Sequence, residues 1–186
     1  MLANPAAAIT YLTSAFAPHN EIVLYAKGSE LTKLGNYTQA LPYYDKALAI
    51  DPKYKYALNG KGHALDHLGN HTQALPYFNK ALAIDPKFTD ALFNKGYTLG
   101  SLGNHTQALQ YYDQALAIDP KYKYALYGKG RALLSLGNNT QALPYFDKAL
   151  AIDPKFTDAL GDKGIVLDAH TQALKYYDKA LETLNF

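Results

Sequence analysis

The side chains best spaced for chemistry are His63 and His67, with Asp66 between them in the stretch HALDH. Residues i and i+4 share a face of a helix, so these two imidazoles could close on a metal ion. A zinc protease would also need a Glu directly after the first His as its general base, and Ala64 stands there. A structural zinc wants four ligands and no third is evident from spacing, so no metal is assigned and the pair reads as polar surface. The triplets Gly60-Lys61-Gly62 and Gly128-Lys129-Gly130 lack the third Gly of a dinucleotide loop and the Ser or Thr of a phosphate loop. There is no Cys, which removes thiolate ligands, thiol nucleophiles and disulfides, and no Ser has a detectable His and acid partner. The sequence points away from an enzyme and requires no cofactor.

The elements that position these residues come from composition and period. A chain of 186 residues, 48% hydrophobic and 18% charged, is long enough to bury a core and is expected to be soluble, with a cytoplasmic location favoured over export. The net charge is +2 and the basic residues recur singly instead of forming a stripe, so neither nucleic acid nor a membrane is expected as partner. No apolar run reaches membrane-spanning length. Asp-Pro recurs at Asp51-Pro52, Asp85-Pro86, Asp119-Pro120 and Asp153-Pro154, a spacing of 34 residues. The units are 21–54, 55–88, 89–122, 123–156 and a shortened 157–186, preceded by a half-unit over 5–18 whose helix is expected over 5–16, after Asn4-Pro5.

Each unit carries two helical stretches. The first has apolar residues at i, i+3/i+4 and i+7 and stops at Leu-Gly-Asn, where Gly and Asn suit a left-handed turn. The second is expected to begin at Thr as N-cap, to carry Pro42, Pro76 or Pro144 in or near its first turn, and to stop before Asp-Pro. Asn36-Tyr37-Thr38, Asn70-His71-Thr72, Asn104-His105-Thr106 and Asn138-Asn139-Thr140 match the glycosylation acceptor. Each lies at the turn that needs those residue types anyway, so the structural cause suffices.

This pattern resembles the tetratricopeptide repeat (TPR) family from residue 21 to the end. The matching positions are Gly28, Gly62, Gly96, Gly130 and Gly164; Ala40, Ala74, Ala108, Ala142 and Ala173; the aromatics Tyr44, Phe78, Tyr112, Phe146 and Tyr177; Ala47, Ala81, Ala115, Ala149 and Ala180; and the repeat-ending prolines. Leu replaces the frequent Trp at Leu24, Leu58, Leu92, Leu126 and Leu160, and Lys27, Lys61, Lys95, Lys129 and Lys163 stand where Leu is usual. Five lysines at one register position suggest architecture, with the stem packed and the ammonium reaching outward. The resemblance implies an all-α, right-handed solenoid of stacked antiparallel helix pairs, a TPR superhelix, acting as a non-enzymatic scaffold for a protein or peptide partner.

The resemblance further implies a concave groove lined by the first helix of each unit. Its peptide-binding residues would be Tyr25, Ser29, Tyr56, Asn59, His63, Phe93, Asn94, Tyr97, Tyr124, Tyr127 and Arg131, flanked by Ile22, Lys33, Asp66, His67, Asp90, Asp158 and Asp162. Aromatic rings with a few amides and charges suit an extended or helical peptide. The family's carboxylate clamp is not reproduced, because Tyr25, Ser29, Gly60, Asp90 and Asn94 occupy its positions. Repeats 55–88 and 123–156 differ at six positions, five of them on the first helix or its turn.

The last unit drops Leu-Gly-Asn. Its apolar positions become Leu160, Leu167, Leu174 and Leu181, seven residues apart, with Tyr177 alongside. One continuous helix would then leave an apolar face for a second chain, giving a homodimer, with domain swapping as one form. The other reading is a tight connection at Asp168-Ala169-His170. A structural self-assembly module, natural or engineered, with no dedicated ligand is the alternative function.

Overall fold

The computed structural model describes residues 20–183, with side chains of the last helix described as far as Asp168 and at Thr171 and Leu174. The half-unit expected over 5–18 lies outside the described residues. Among the described residues the fold is all-α. The helices are α1 (Asn20–Lys33), α2 (Tyr37–Ile50), α3 (Lys55–His67), α4 (His71–Ile84), α5 (Thr89–Ser101), α6 (His105–Ile118), α7 (Lys123–Ser135), α8 (Asn139–Ile152) and α9 (Thr157–Thr183).

The chain forms two compact units, divided between Pro86 and Lys87. In the first, α1 packs on α2, α2 on α3 and α3 on α4; in the second, α5 packs on α6, α6 on α7, α7 on α8 and α8 on α9. The short turns make each of the pairs α1/α2, α3/α4, α5/α6 and α7/α8 an antiparallel hairpin. Each turn has a definite chemistry. Gly69 takes φ 78°, which only glycine adopts without strain, and its N–H bonds Asp66 O at 2.9 Å while Asn70 N bonds Leu65 O at 2.9 Å.

Three local expectations need correction. The N-cap of each second helix is Asn, at 36, 70, 104 and 138, with φ between −83° and −86°, so Asn is not left-handed and Thr sits inside the first turn. Its backbone is committed to the preceding helix end, and no side-chain cap bond forms. Pro42 lies beyond the first turn of α2, so its missing N–H leaves the carbonyl of exposed Thr38 to water, which keeps the cost low. Each Asp before Pro is extended, as Asp51 is at φ −126° and ψ 97°, and its carboxylate accepts from Lys53 N at 2.9 Å.

The core is built from alanines, leucines and one ring per pair. Ala40, Tyr44, Ala47, Ala57 and Ala64 are buried together in the first unit, and Leu133, Ala142, Phe146 and Val166 in the second. Glycine lets the rings approach: a Cβ built on Gly130 would lie 2.6 Å from Phe146 Cε1. The tyrosine rings reach further than the phenylalanines. A Cβ on Gly60 would lie 2.6 Å from Tyr44, and one on Gly128 2.7 Å from Tyr112, whereas the same position after Phe146 is Asp162. The repeated lysines are architectural: Lys61 pairs with Asp45 of the preceding hairpin and lies 4.5 Å over the Tyr77 ring of its own, and Lys129 does the same with Asp113 and Tyr145. Burial pulls the Lys61 ammonium down, but its hydrogen bonds to Asp45 and Tyr77 win and hold its pKa above the ordinary value.

Candidate functional site

In the second unit, α5, α6, α7 and the chain around the start of α9 line an open cavity of about 210 Å³. Six Phe and Tyr rings line it: Phe93, Tyr97, Tyr112, Tyr124, Tyr127 and Phe156. Phe93 sits 6.2 Å from Tyr97 and 6.0 Å from Tyr124, and Phe156 lies 4.9 Å from Tyr127 and 5.9 Å from Tyr124. Phe93 and Tyr127 are half-buried, while Tyr97 and Tyr124 are exposed. The rings are fixed from behind: Tyr122 edges onto Phe93 at 5.7 Å and donates its hydroxyl to Asp90 at 2.8 Å. Burial, and then the Asp90 charge, push the Tyr122 phenol far above its ordinary value, so it stays a donor.

Arg131 supplies the cavity's cation. Its guanidinium lies 5.8 Å over the Tyr127 ring, and its Nε is 3.6 Å from Asp162 Oδ2, a buried oxygen without a hydrogen bond. That contact is Coulombic, and the guanidinium stays exposed, able to meet a ligand's acceptors. Asp158 and His105 complete a rim that can meet either charge. Burial raises the Tyr127 phenol, Arg131 opposes the rise and the neighbouring Asp162 carboxylate adds to it.

The first unit builds a different face from the same positions. Tyr25 is ringed by Tyr44 at 6.2 Å, Tyr54 at 5.5 Å and Tyr56 at 5.9 Å. His67 stacks on Tyr37 with centroids 4.6 Å apart and planes 5° from parallel, and its Nε2 is 3.0 Å from His63 Nε2. Asp66 is buried, not on the ligand face, and bonds His71 Nδ1 at 2.8 Å. Among the described residues no three His, Asp or Glu side chains are grouped to hold a metal.

Of the residues expected to bind peptide, Phe93, Tyr97, Tyr124, Tyr127 and Arg131 meet at the cavity. Tyr25, Ser29, Tyr56, Asn59 and His63 belong to the other unit, and Asn94 is half-buried on α5 without lining the cavity. Sequence reasoning missed Phe156, Tyr112, His105, Ser101 and Ser135. The signal for Phe156 was available: an aromatic follows every Asp-Pro-Lys, at Tyr54, Phe88, Tyr122 and Phe156. On α9, Leu160, Leu167 and Leu174 are 49%, 45% and 61% exposed, while the side chains of Tyr177 and Leu181 lie outside the described residues. No described helix is long and apolar enough to cross a membrane.

A family model of the tetratricopeptide repeat matches residues 25–87 and 93–155. No curated protein matches the sequence. Among solved structures the chain is similar to YrrB, described as a TPR protein with an unusual peptide-binding site, at 26% identity over 91% of this chain and 90% of that one, with a TM-score of 0.64. It is similar in fold to PilF of Pseudomonas aeruginosa, at 24% identity over 86% of this chain and 74% of that one, TM-score 0.76. MamA from Desulfovibrio magneticus RS-1 shares the fold at 22% identity over 88% and 94%, TM-score 0.69.

Proposed function

Because the chain belongs to the tetratricopeptide repeat family, we propose that it is a non-enzymatic binding scaffold that takes an extended peptide segment of a protein partner across α5 and α7. The observation that carries this is the ring-walled cavity of Phe93, Tyr97, Tyr124, Tyr127 and Phe156 with Arg131 at its edge. Ligand pockets for drug-sized molecules run from about 300 to 1,000 Å³. A smaller cavity suits one or two side chains of a peptide instead. An aliphatic or prolyl group would cover the rings, and Arg131 would bind a carboxylate or a backbone carbonyl of the next residues. Asn94 would add a contact on α5, and Tyr25, Ser29, Tyr56, Asn59 and His63 would serve a peptide segment on the first unit.

The test is selection of a displayed random peptide library on the immobilised protein, followed by calorimetry of the selected peptides. Phe93→Ala and Tyr127→Ala should each weaken binding at least about tenfold, the loss of one buried hot-spot contact. Unchanged affinity in both variants would overturn the assignment. A second reading concerns α9, whose unbroken course and exposed Leu160, Leu167 and Leu174 favour self-association of the chain through that helix.

A further inference from the structure

The fourth hairpin shows what a first helix takes from its own second helix. Phe146 rests directly on Gly130, Leu133 is buried with Ala142 and Phe146 and has Leu143 beside it, and Leu126 is buried with Ala149 and has Leu150 beside it. In the last unit the same face is Leu160, Gly164 and Leu167. Nothing lies within 4 Å of a Cβ built on Gly164, and Leu160 and Leu167 are 49% and 45% exposed where Leu126 and Leu133 are 3% and 6%. The other side of the helix is seated normally: Ala159 and Val166 are fully buried, and Lys163 pairs with Asp147 at 2.6 Å.

The face is uncovered, yet its cover is present in the sequence. Ala173, Leu174, Tyr177, Ala180 and Leu181 occupy the register of Ala142, Leu143, Phe146, Ala149 and Leu150. Their own chain cannot deliver them. Gly164 and Tyr177 lie on one uninterrupted helix, about 20 Å apart along its axis at 1.5 Å per residue.

We infer that two copies of this chain exchange the second halves of α9, each completing the other's last repeat. This rests on the reading that α9 mediates self-association, and it specifies how. In an antiparallel pair Leu160 opposes the partner's Leu181, Gly164 the partner's Tyr177, and Leu167 the partner's Leu174. The same contacts recur across a two-fold axis passing between His170 and Thr171, so the interface is self-complementary and closed. The missing Leu-Gly-Asn makes this possible, since it leaves the apolar positions seven residues apart through the junction and keeps both halves on one stripe.

The chain has no Cys, so Gly164→Cys and Tyr177→Cys can each carry the only thiol, and the two variants can be mixed and treated with a short bis-maleimide. Exchange predicts a molar mass by light scattering of twice the 20.5 kDa of one chain for the unsubstituted protein, and dimer-sized product in the mixture well above that of either variant alone. Dimers in which each variant links only to itself would mean that like faces pair, which overturns exchange and leaves self-association standing. A monomeric unsubstituted chain would overturn both. Insertion of Leu-Gly-Asn between Ala169 and His170 avoids perturbing the face: the restored chain should be monomeric, and a restored chain that stays dimeric overturns exchange.

Discussion

The hairpins α3/α4 and α7/α8 have nearly the same sequence and present different surfaces. Asn59, His63, Asp66, His67, His71 and Asn79 in the first become Tyr127, Arg131, Leu134, Ser135, Asn139 and Asp147 in the second. Apart from Asp66, buried where Leu134 is only half-buried, the side chains that form the core are the same, so the backbone is the same. On the first hairpin the changed side chains satisfy one another: His63 meets His67, His67 stacks on Tyr37, and Asp66 holds His71. On the second, Tyr127, Arg131 and Ser135 stand around an open cavity. His105 occupies the register of Tyr37 there, and Ser135 that of His67, so no stacked ring pair fills the space. One framework thus gives a closed polar face and an open aromatic one through a few substitutions.

The largest effect should come from what the two hairpins share. Phe78→Ala and Phe146→Ala each empty a fully buried ring site and should cost about 3 to 5 kcal/mol in chemical denaturation, to similar extents. A much smaller loss in one hairpin would show that its framework is not equivalent. Next, Tyr127→Asn gives the open face its counterpart from the closed one. It should weaken peptide binding at least about tenfold while leaving the melting temperature within a few degrees, and a melting temperature that fell with the affinity would assign the ring to packing.

A smaller effect separates Tyr122 from Tyr54 in the same register. Asp90 accepts from Tyr122, whereas the first unit has Ile22 in the place of Asp90. Both phenols are raised by burial, and Tyr122 is raised further by Asp90. A raised phenol holds its proton more tightly when folded, so its contribution is complete below the unfolded value near pH 10 and is lost as pH rises beyond it. Stability should therefore fall above about pH 10. Tyr122→Phe should flatten that fall more than Tyr54→Phe, and equal slopes would remove the role given to Asp90. The smallest change is Tyr37→Ala, which unstacks His67 and should cost about 0.5 to 1.5 kcal/mol beyond the lost buried area.

Most of the fold was legible because it depends on local signals repeated many times. The Asp-Pro stops, the Leu-Gly-Asn turns and the alanine and ring positions each fix a helix end or a packed face. The site was legible only in part. Phe93, Tyr97, Tyr124, Tyr127 and Arg131 could be placed on first helices by register, but register does not say which faces fill themselves. That Asp66 turns inward to His71, or that Tyr37 reaches His67, depends on rotamers and on neighbours from the adjoining helix. Phe156 was overlooked because it precedes its helix, outside the pattern used to find the face.

The alternation of Tyr and Phe on the second helices bears on how such a chain avoids misfolding. Near-identical repeats invite a helix to dock on the wrong neighbour one period away. Tyr112 needs the bare backbone of Gly128 beside its hydroxyl end, and a slip of one period would set it against the side chain of Asp162. Phe146, lacking the hydroxyl, leaves room for that aspartate. Tyrosine and glycine act as a key that fits only every second slot, so a one-period slip sets a tyrosine against a side chain and the faithful register is favoured.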